Sequence, residues 1–249
     1  MRAQKWRDIL IGNREIVTNL RKTKLINVDE LKLKPSDETD LNHDLTRTFP
    51  THVFFKDNLH TLSTVIKWYC HTNRGMGYFQ GLCFMTFPLY YVFYKDDPEH
   101  AQEDTFYAVH KFIQVIRPCI PIPSNEKATL DFNDTVAKLV LLELGSKSLK
   151  LQRKFLNTPW DIVIPTLVVQ LIPSMFANRF SLEEILVLWD YIIEGRTNDM
   201  LGRVVNIITA MVLQLEQVFL QLEFDKALTL MQCPENYNVY KIIITAKSL

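Results

Sequence analysis

Twenty consecutive residues, Gly75 to Tyr94, carry no charge, and a chain has few ways to house such a stretch. It either spans a bilayer, whose thickness it roughly matches, or it lies at the centre of a folded core. Its contents favour the core. Gly75, Gly77, Gln80, Gly81, Thr86 and Pro88 fall inside it, so the first third reads as a turn and the remainder is too short to cross. A second apolar stretch, Ile162 to Asn178, contains Gln170 and is broken by Pro165 and Pro173; it also reads as a buried helix.

Glycine is scarce. Seven in 249 residues disfavour an all-β sandwich or a doubly wound nucleotide-binding fold, both of which use glycine freely in tight turns. The spacing of apolar residues predicts helices instead. Leu59, Leu62, Val65, Ile66 and Tyr69 share one helical face, as do Leu182, Ile185, Leu186, Trp189 and Ile193. The second of these helices has Ser181 as N-cap, Glu184 as its capping-box partner and Gly195 as terminator. Further helices are predicted over Thr105–Ile116 and Leu201–Leu222. The β-branched run inside Tyr240–Thr245 has no partner strands and is read as helix. The expected fold is all-α and two-lobed. Pro118, Pro121 and Pro123 mark the hinge, with one lobe over 1–125 and the other over 126–249.

Charge excludes some functions. Twenty-eight Lys and Arg balance twenty-eight Asp and Glu, so no overall field draws the chain to nucleic acid. The first thirty-five residues hold nine basic and four acidic side chains, read as a solvated helix face rather than a membrane-binding one. Cys70, Cys83, Cys119 and Cys233 form no CxxC pair and read as reduced core thiols. With no secretory signal in the opening residues, a cytoplasmic location is expected. His43, His52, His60 and His71 lack paired-ligand spacing and read as surface residues, so no metal site is expected. GxSxG, GxGxxG and P-loop patterns are absent.

Three segments do not reduce easily to packing. In Leu41 to Pro50, Asp44 and Arg47 sit three apart and share a helical face, an arrangement that can hold an arginine in one pose; alone, it reads as a surface salt bridge. In Gly75 to Gly81, three of the seven glycines precede an apolar helix, as in a turn that must be sharp or must face an anion at a helix N-terminus. Gln80 lies within it, read alone as a group that satisfies nearby backbone. Leu186 to Gly195, with Trp189, Asp190 and Glu194, reads by itself as a core helix.

Taken in order, the three resemble the TBC domain, the catalytic module of GTPase-activating proteins for Rab GTPases. Leu41, Asp44 and Arg47 are similar to its IxxDxxR motif, with leucine at the isoleucine position. Gly77, Tyr78, Gln80 and Gly81 are similar to its GYxQG motif, and Trp189, Asp190, Glu194 and Gly195 to its WDxxxxEG-like helix. Arg47-Thr48-Phe49-Pro50 and the opening Arg2 to Leu10, with Trp6, extend the likeness over nearly the whole chain. One departure stands out: Leu82-Cys83 follows the glutamine motif where the family usually continues Met-Asn or Met-Ser.

The resemblance implies an activator that lends groups to another protein's active site and is not an enzyme on a substrate of its own. Arg47 and Gln80 are the implied catalytic pair, a guanidinium to neutralise phosphate charge and an amide to orient the attacking water. Asp44 is implied to hold the Arg47 segment and Tyr78 to position the glutamine loop, with Gly77 and Gly81 shaping it. The implied partner is a GTP- and magnesium-bound Rab GTPase, through which the chain would sit peripherally on endomembranes. No cofactor of its own is implied, and an exposed groove is expected near the two motifs. The alternative is a TBC-like scaffold that binds GTPases or trafficking proteins without catalysis.

Overall fold

The computed structural model describes residues 2–22, 31–120 and 126–249. Among them there are fifteen α-helices and no strand, as the scarcity of glycine predicts. They form two compact units. The first comprises the described residues up to Arg117 together with Pro173–Asn178; the second comprises the described residues of Pro118–Ile172 and Arg179–Leu249. The hinge residues Pro121 and Pro123 and the expected boundary near residue 125 lie outside the described residues.

The first unit holds α1 (Arg2–Leu10), α2 (Arg14–Arg21), α3 (Pro35–Arg47), α4 (Val53–Asp57), α5 (Leu59–Thr72), α6 (Leu82–Asp96) and α7 (Ala101–Ile116). The uncharged stretch becomes α6, and it is packed between α5 and α7 with α1 lying across it and α7. Nearly every side chain of α6 from Leu82 to Phe93 is buried, which is what a helix apolar on all sides requires. No single helix among the described residues is long and apolar enough to cross a membrane. Phe87 and Phe93 of α6 are buried with Trp6, Leu62, Ile66 and Phe112 in the core.

The basic N-terminal segment is not simply a solvated face. Arg7 is buried, and its guanidinium donates to Asp104 and to Asp96, each at 2.5 Å. Arg21 donates to the same Asp104 carboxylate at 2.8 Å and pairs with Asp97 at 3.0 Å. The two arginines therefore bind α1 and α2 to α7 and to the turn before it. Removing one partner from such a buried group strands a charge, at a cost of about 3–5 kcal/mol.

The second unit holds α8 (Glu126–Lys147), α9 (Leu149–Phe155), α10 (Val163–Leu171), α11 (Leu182–Glu194), α12 (Arg196–Gln214), α13 (Glu216–Gln221), α14 (Phe224–Gln232) and α15 (Val239–Ala246). The capping box of α11 forms as expected, the Ser181 N–H donating to Glu184 at 3.0 Å. Gly195 closes α11 in a right-handed conformation, so the chain runs directly into α12. The helix expected over Leu201–Leu222 begins earlier and breaks after Gln214. The break brings Glu216 to Ser148, which donates to it at 2.6 Å, and lets Lys154 cap α13 through the Phe219 carbonyl at 2.6 Å. The β-branched run at 242–244 is helical because Val239, Ile242 and Ala246 bury one stripe of α15, which packs on α11 and α12.

The stretch from Ile162 to Asn178 is not one helix. α10 ends at Leu171, a short 3₁₀ turn covers Ile172–Ser174, and Pro173–Asn178 belongs to the first unit. Met175 and Phe176 take left-handed backbone angles, φ 48° and 70°, and both are fully buried.

Cys70, Cys83 and Cys119 are buried and Cys233 is half-buried. Burial pushes the first three thiols up to about 12, so at pH 8 they remain protonated and covered. Alkylation of the native chain at that pH is expected to label Cys233 alone, the other three reacting after denaturation. Mass spectrometry of the labelled peptides checks this, and rapid native labelling of Cys83 would count against the packing described.

Candidate functional site

The site grows from α3. Pro35 occupies its first turn, where its fixed φ suits a helix start and its missing N–H costs nothing. Asp37 and Glu38 follow in the first turn and Arg47 ends the last, the polarity that the helix dipole favours. Thr48 then stops the helix, its hydroxyl donating to the Asp44 carbonyl at 2.7 Å. Phe49 turns the chain sharply at φ 47° and lies against Phe55, with ring centroids 5.3 Å apart. Arg47 is thereby held at a helix end with its side chain 57% exposed.

Asp44 is the opposite case. It is 3% exposed, so its pairing with the Arg47 guanidinium is not the surface salt bridge that the spacing alone suggests. Its second oxygen accepts from the Tyr78 hydroxyl at 2.6 Å. Tyr78 is anchored twice on α3, because its backbone N–H also donates to Asp37 at 3.3 Å. Asp37 and Asp44 stand seven apart, two helical turns along the same face.

A proton count assigns the next link. Tyr78 has one hydroxyl proton and gives it to a carboxylate that has none to return. The Cys83 thiol, 3.4 Å from the phenol oxygen, must therefore be the donor in that contact. Burial holds both groups in the protonated form, raising the Tyr78 phenol well above its ordinary range and the thiol to about 12. Cys83 thus supplies a donor at the position where the family pattern has Asn or Ser.

The glycines shape the loop between these anchors. Gly77 has φ +65°, and a Cβ there would meet the Asp37 carboxylate at 2.9 Å. Gly81 has φ +117°, and its Cβ would lie 2.4 Å from the Pro173 carbonyl. The N-terminus of α6 is consequently covered: Gly81, Leu82 and Cys83 are buried, so this helix end does not present an anion site. Phe79 is buried, but Gln80 points outward. Its side chain makes no hydrogen bond among the described residues, so it does not serve nearby backbone groups.

Arg47, Gln80, Asp44 and Tyr78 line one open pocket of about 260 Å³, rimmed by Asp40 and His43. Gly77 and Gly81 lie outside it, in the loop that aims Gln80. His43 and His60 are exposed, and His52 is half-buried. Its ring packs on Phe55 at 4.7 Å and edge-on to Tyr91 at 5.7 Å. Among the described residues no group of three or more His, Cys, Asp or Glu could hold a metal ion.

The third motif lies in the second unit, and none of its residues lines the pocket. Trp189 is fully buried. Arg203 lies 3.8 Å from Glu194, donates to the Tyr191 carbonyl at 2.6 Å and occupies the space that a side chain at Gly195 would need.

A family model of the Rab-GTPase-TBC domain matches residues 1–220. The chain belongs to the Rab-GTPase-TBC domain family. Over 161 residues it is 25% identical to a human protein named growth hormone-regulated TBC protein 1, a match covering 63% of this chain and 44% of that protein. The chain therefore spans less than half the length of this relative. Its fold is similar to the crystal structure of the Ypt/Rab-GAP domain of Gyp1p, with a TM-score of 0.70 at 13% identity over 99% of this chain and 78% of that one. In this TBC domain Arg47 and Tyr78 of the first two motifs meet on the Asp44 carboxylate, and Asp37, Cys83 and the Pro173 carbonyl hold the loop around them.

Replacing Tyr78 by Phe leaves a buried oxygen of Asp44 without its donor and is expected to cost about 1–3 kcal/mol. Cys83→Ala should cost less and Cys83→Ser less still, since the hydroxyl keeps a donor. Gly81→Ala must displace backbone and is expected to cost more than about 1 kcal/mol. Urea denaturation of the four variants checks the order; an unaltered Tyr78→Phe midpoint would show that the link to Asp44 is not made.

Proposed function

We propose that this TBC domain accelerates GTP hydrolysis by a Rab-family GTPase, with Arg47 and Gln80 entering the partner's active site together. The observation that carries this reading is that both side chains, from different elements, reach one open pocket, while the groups behind them are buried. Small GTPases hydrolyse GTP slowly because charge developing on the phosphates is poorly neutralised and the water is poorly oriented. The Arg47 guanidinium addresses the first defect. It pairs with Asp44 through one end and leaves its remaining N–H groups for phosphate oxygens. The Gln80 amide, a donor and an acceptor on one planar group, addresses the second.

Pre-orientation is what the surrounding residues contribute. Asp44 restricts Arg47 before the encounter, and Tyr78 ties the glutamine loop to the same carboxylate. Less ordering of these long side chains then remains to be done on binding. The nucleotide and its magnesium ion belong to the GTPase, and the chain contributes side chains alone. It works in the cytoplasm, reaching endomembranes through the GTPase it engages.

Single-turnover GTP hydrolysis across a panel of Rab proteins tests the proposal. Arg47→Ala is expected to lower the accelerated rate by about 10³-fold or more, and Arg47→Lys to restore little, because an ammonium lacks the planar fork. Gln80→Ala is expected to lose about 10²-fold. A native chain that binds Rab–GTP without acceleration, with both variants unchanged, would identify a scaffold instead.

A further inference from the structure

A second concavity, of about 370 Å³, is bordered by Lys32, Lys34 and Asp37 at the start of α3, by His71 and Arg74 at the end of α5, and by Gly77. None of its cations belongs to a motif of the family. Lys32, Lys34 and Arg74 are exposed, and among the described residues none of the three is in an ion pair. The Arg74 guanidinium donates to His71 Nε2 at 3.3 Å. The one carboxylate on the wall, Asp37, already receives the Tyr78 N–H. Three cations thus face one engaged anion, in a chain whose formal charges sum to zero. The cleft also opens at the N-terminus of α3, which has no side-chain cap.

We propose that this cleft receives acidic side chains on the surface of the same GTPase that meets Arg47 and Gln80. The proposal rests on the function argued above and adds a docking site to it. Continuity along α3 supports it. Asp37, Asp40, Asp44 and Arg47 recur at spacings of three, four and three, so one helix face leads from the cleft to the pocket. The ten-residue step from Asp37 to Arg47 rises about 15 Å along the helix. A specific interface buries about 800 Å² on each partner, a patch roughly 30 Å across, so a GTPase seated over the pocket also covers the cleft. A phosphorylated lipid headgroup would instead require the membrane to take this end of the helix face while the GTPase takes the other. Open, hydrated lysines suit exposed carboxylates, raising the association rate and suppressing partners of the wrong charge.

The test compares the native chain with K32E/K34E/R74E and with the milder K32Q/K34Q/R74Q, each checked for an unaltered melting temperature. If the reversal fails to fold, the neutral variant carries the test. Steady-state hydrolysis is measured on the best Rab of the panel, and binding is measured with Rab loaded with a non-hydrolysable GTP analogue at about 50 and 300 mM salt. The reversal is expected to raise KM about tenfold and the neutral variant about threefold, with kcat within about twofold. The salt dependence of native binding should flatten in both. Unchanged KM and salt dependence, or a fall in kcat at constant KM, would overturn the proposal. So would loss of binding to phosphoinositide-containing vesicles with Rab affinity intact. If the native chain binds Rab without acceleration, the catalytic reading fails on its own and the binding arm still decides the cleft. A native chain that binds no Rab overturns both.

Discussion

A carboxylate removed from water must be supplied with donors or lose its charge, and Asp44 is such a carboxylate. Its donors are the guanidinium at the end of its own helix and the phenol of a loop thirty-four residues later. Neither partner is bound to the other, yet both are fixed by one carboxylate, each through a different oxygen. The geometry between Arg47 and Gln80 follows from this shared anchor. The helix determines one side chain, the loop determines the other, and the buried charge makes it costly for the two elements to separate.

The loop is held from behind as well. Pro173 brings its carbonyl against Gly81, so close that no side chain fits there, and Cys83 completes the hydrogen bonding of Tyr78 from the first turn of α6. At the position where the Met-Asn or Met-Ser continuation would place its polar residue, a protonated, buried cysteine supplies a weak donor. Asp37 adds a second tie one helical repeat away, so Tyr78 is held at its backbone and at its tip. Gln80, exposed, makes no side-chain hydrogen bond among the described residues.

Much of this was legible in the residue pattern. The uncharged run after Gly81 predicted a central helix, the capping box marked α11, and the order of the motifs pointed to the family before any geometry was known. Other features were hidden because they depend on residues far apart in the chain. Nothing in the spacing of Asp44 and Arg47 tells a buried carboxylate from an exposed one. Arg7 and Arg21 looked like a solvated face because their partners lie some eighty to a hundred residues on. The break after Gln214 interrupts a good amphipathic pattern, and the contacts it allows are with Ser148 and Lys154, in a distant segment. The basic cleft is hidden in the sequence for the same reason, its cations coming from two segments that carry no motif.

Local chemistry, then, was enough to specify an all-helical chain, because helical periodicity, capping and glycine placement act over a few residues, while Arg47, Asp44, Tyr78 and Gln80 were nominated by the likeness of their motifs to the TBC family. Tertiary packing alone decided which charges left water, that Pro173–Asn178 joins the first unit, that Cys83 donates to Tyr78, and that the α6 N-terminus is covered rather than open to an anion. Burial is a property of what surrounds a side chain, and those surroundings are assembled from segments that the linear order keeps apart.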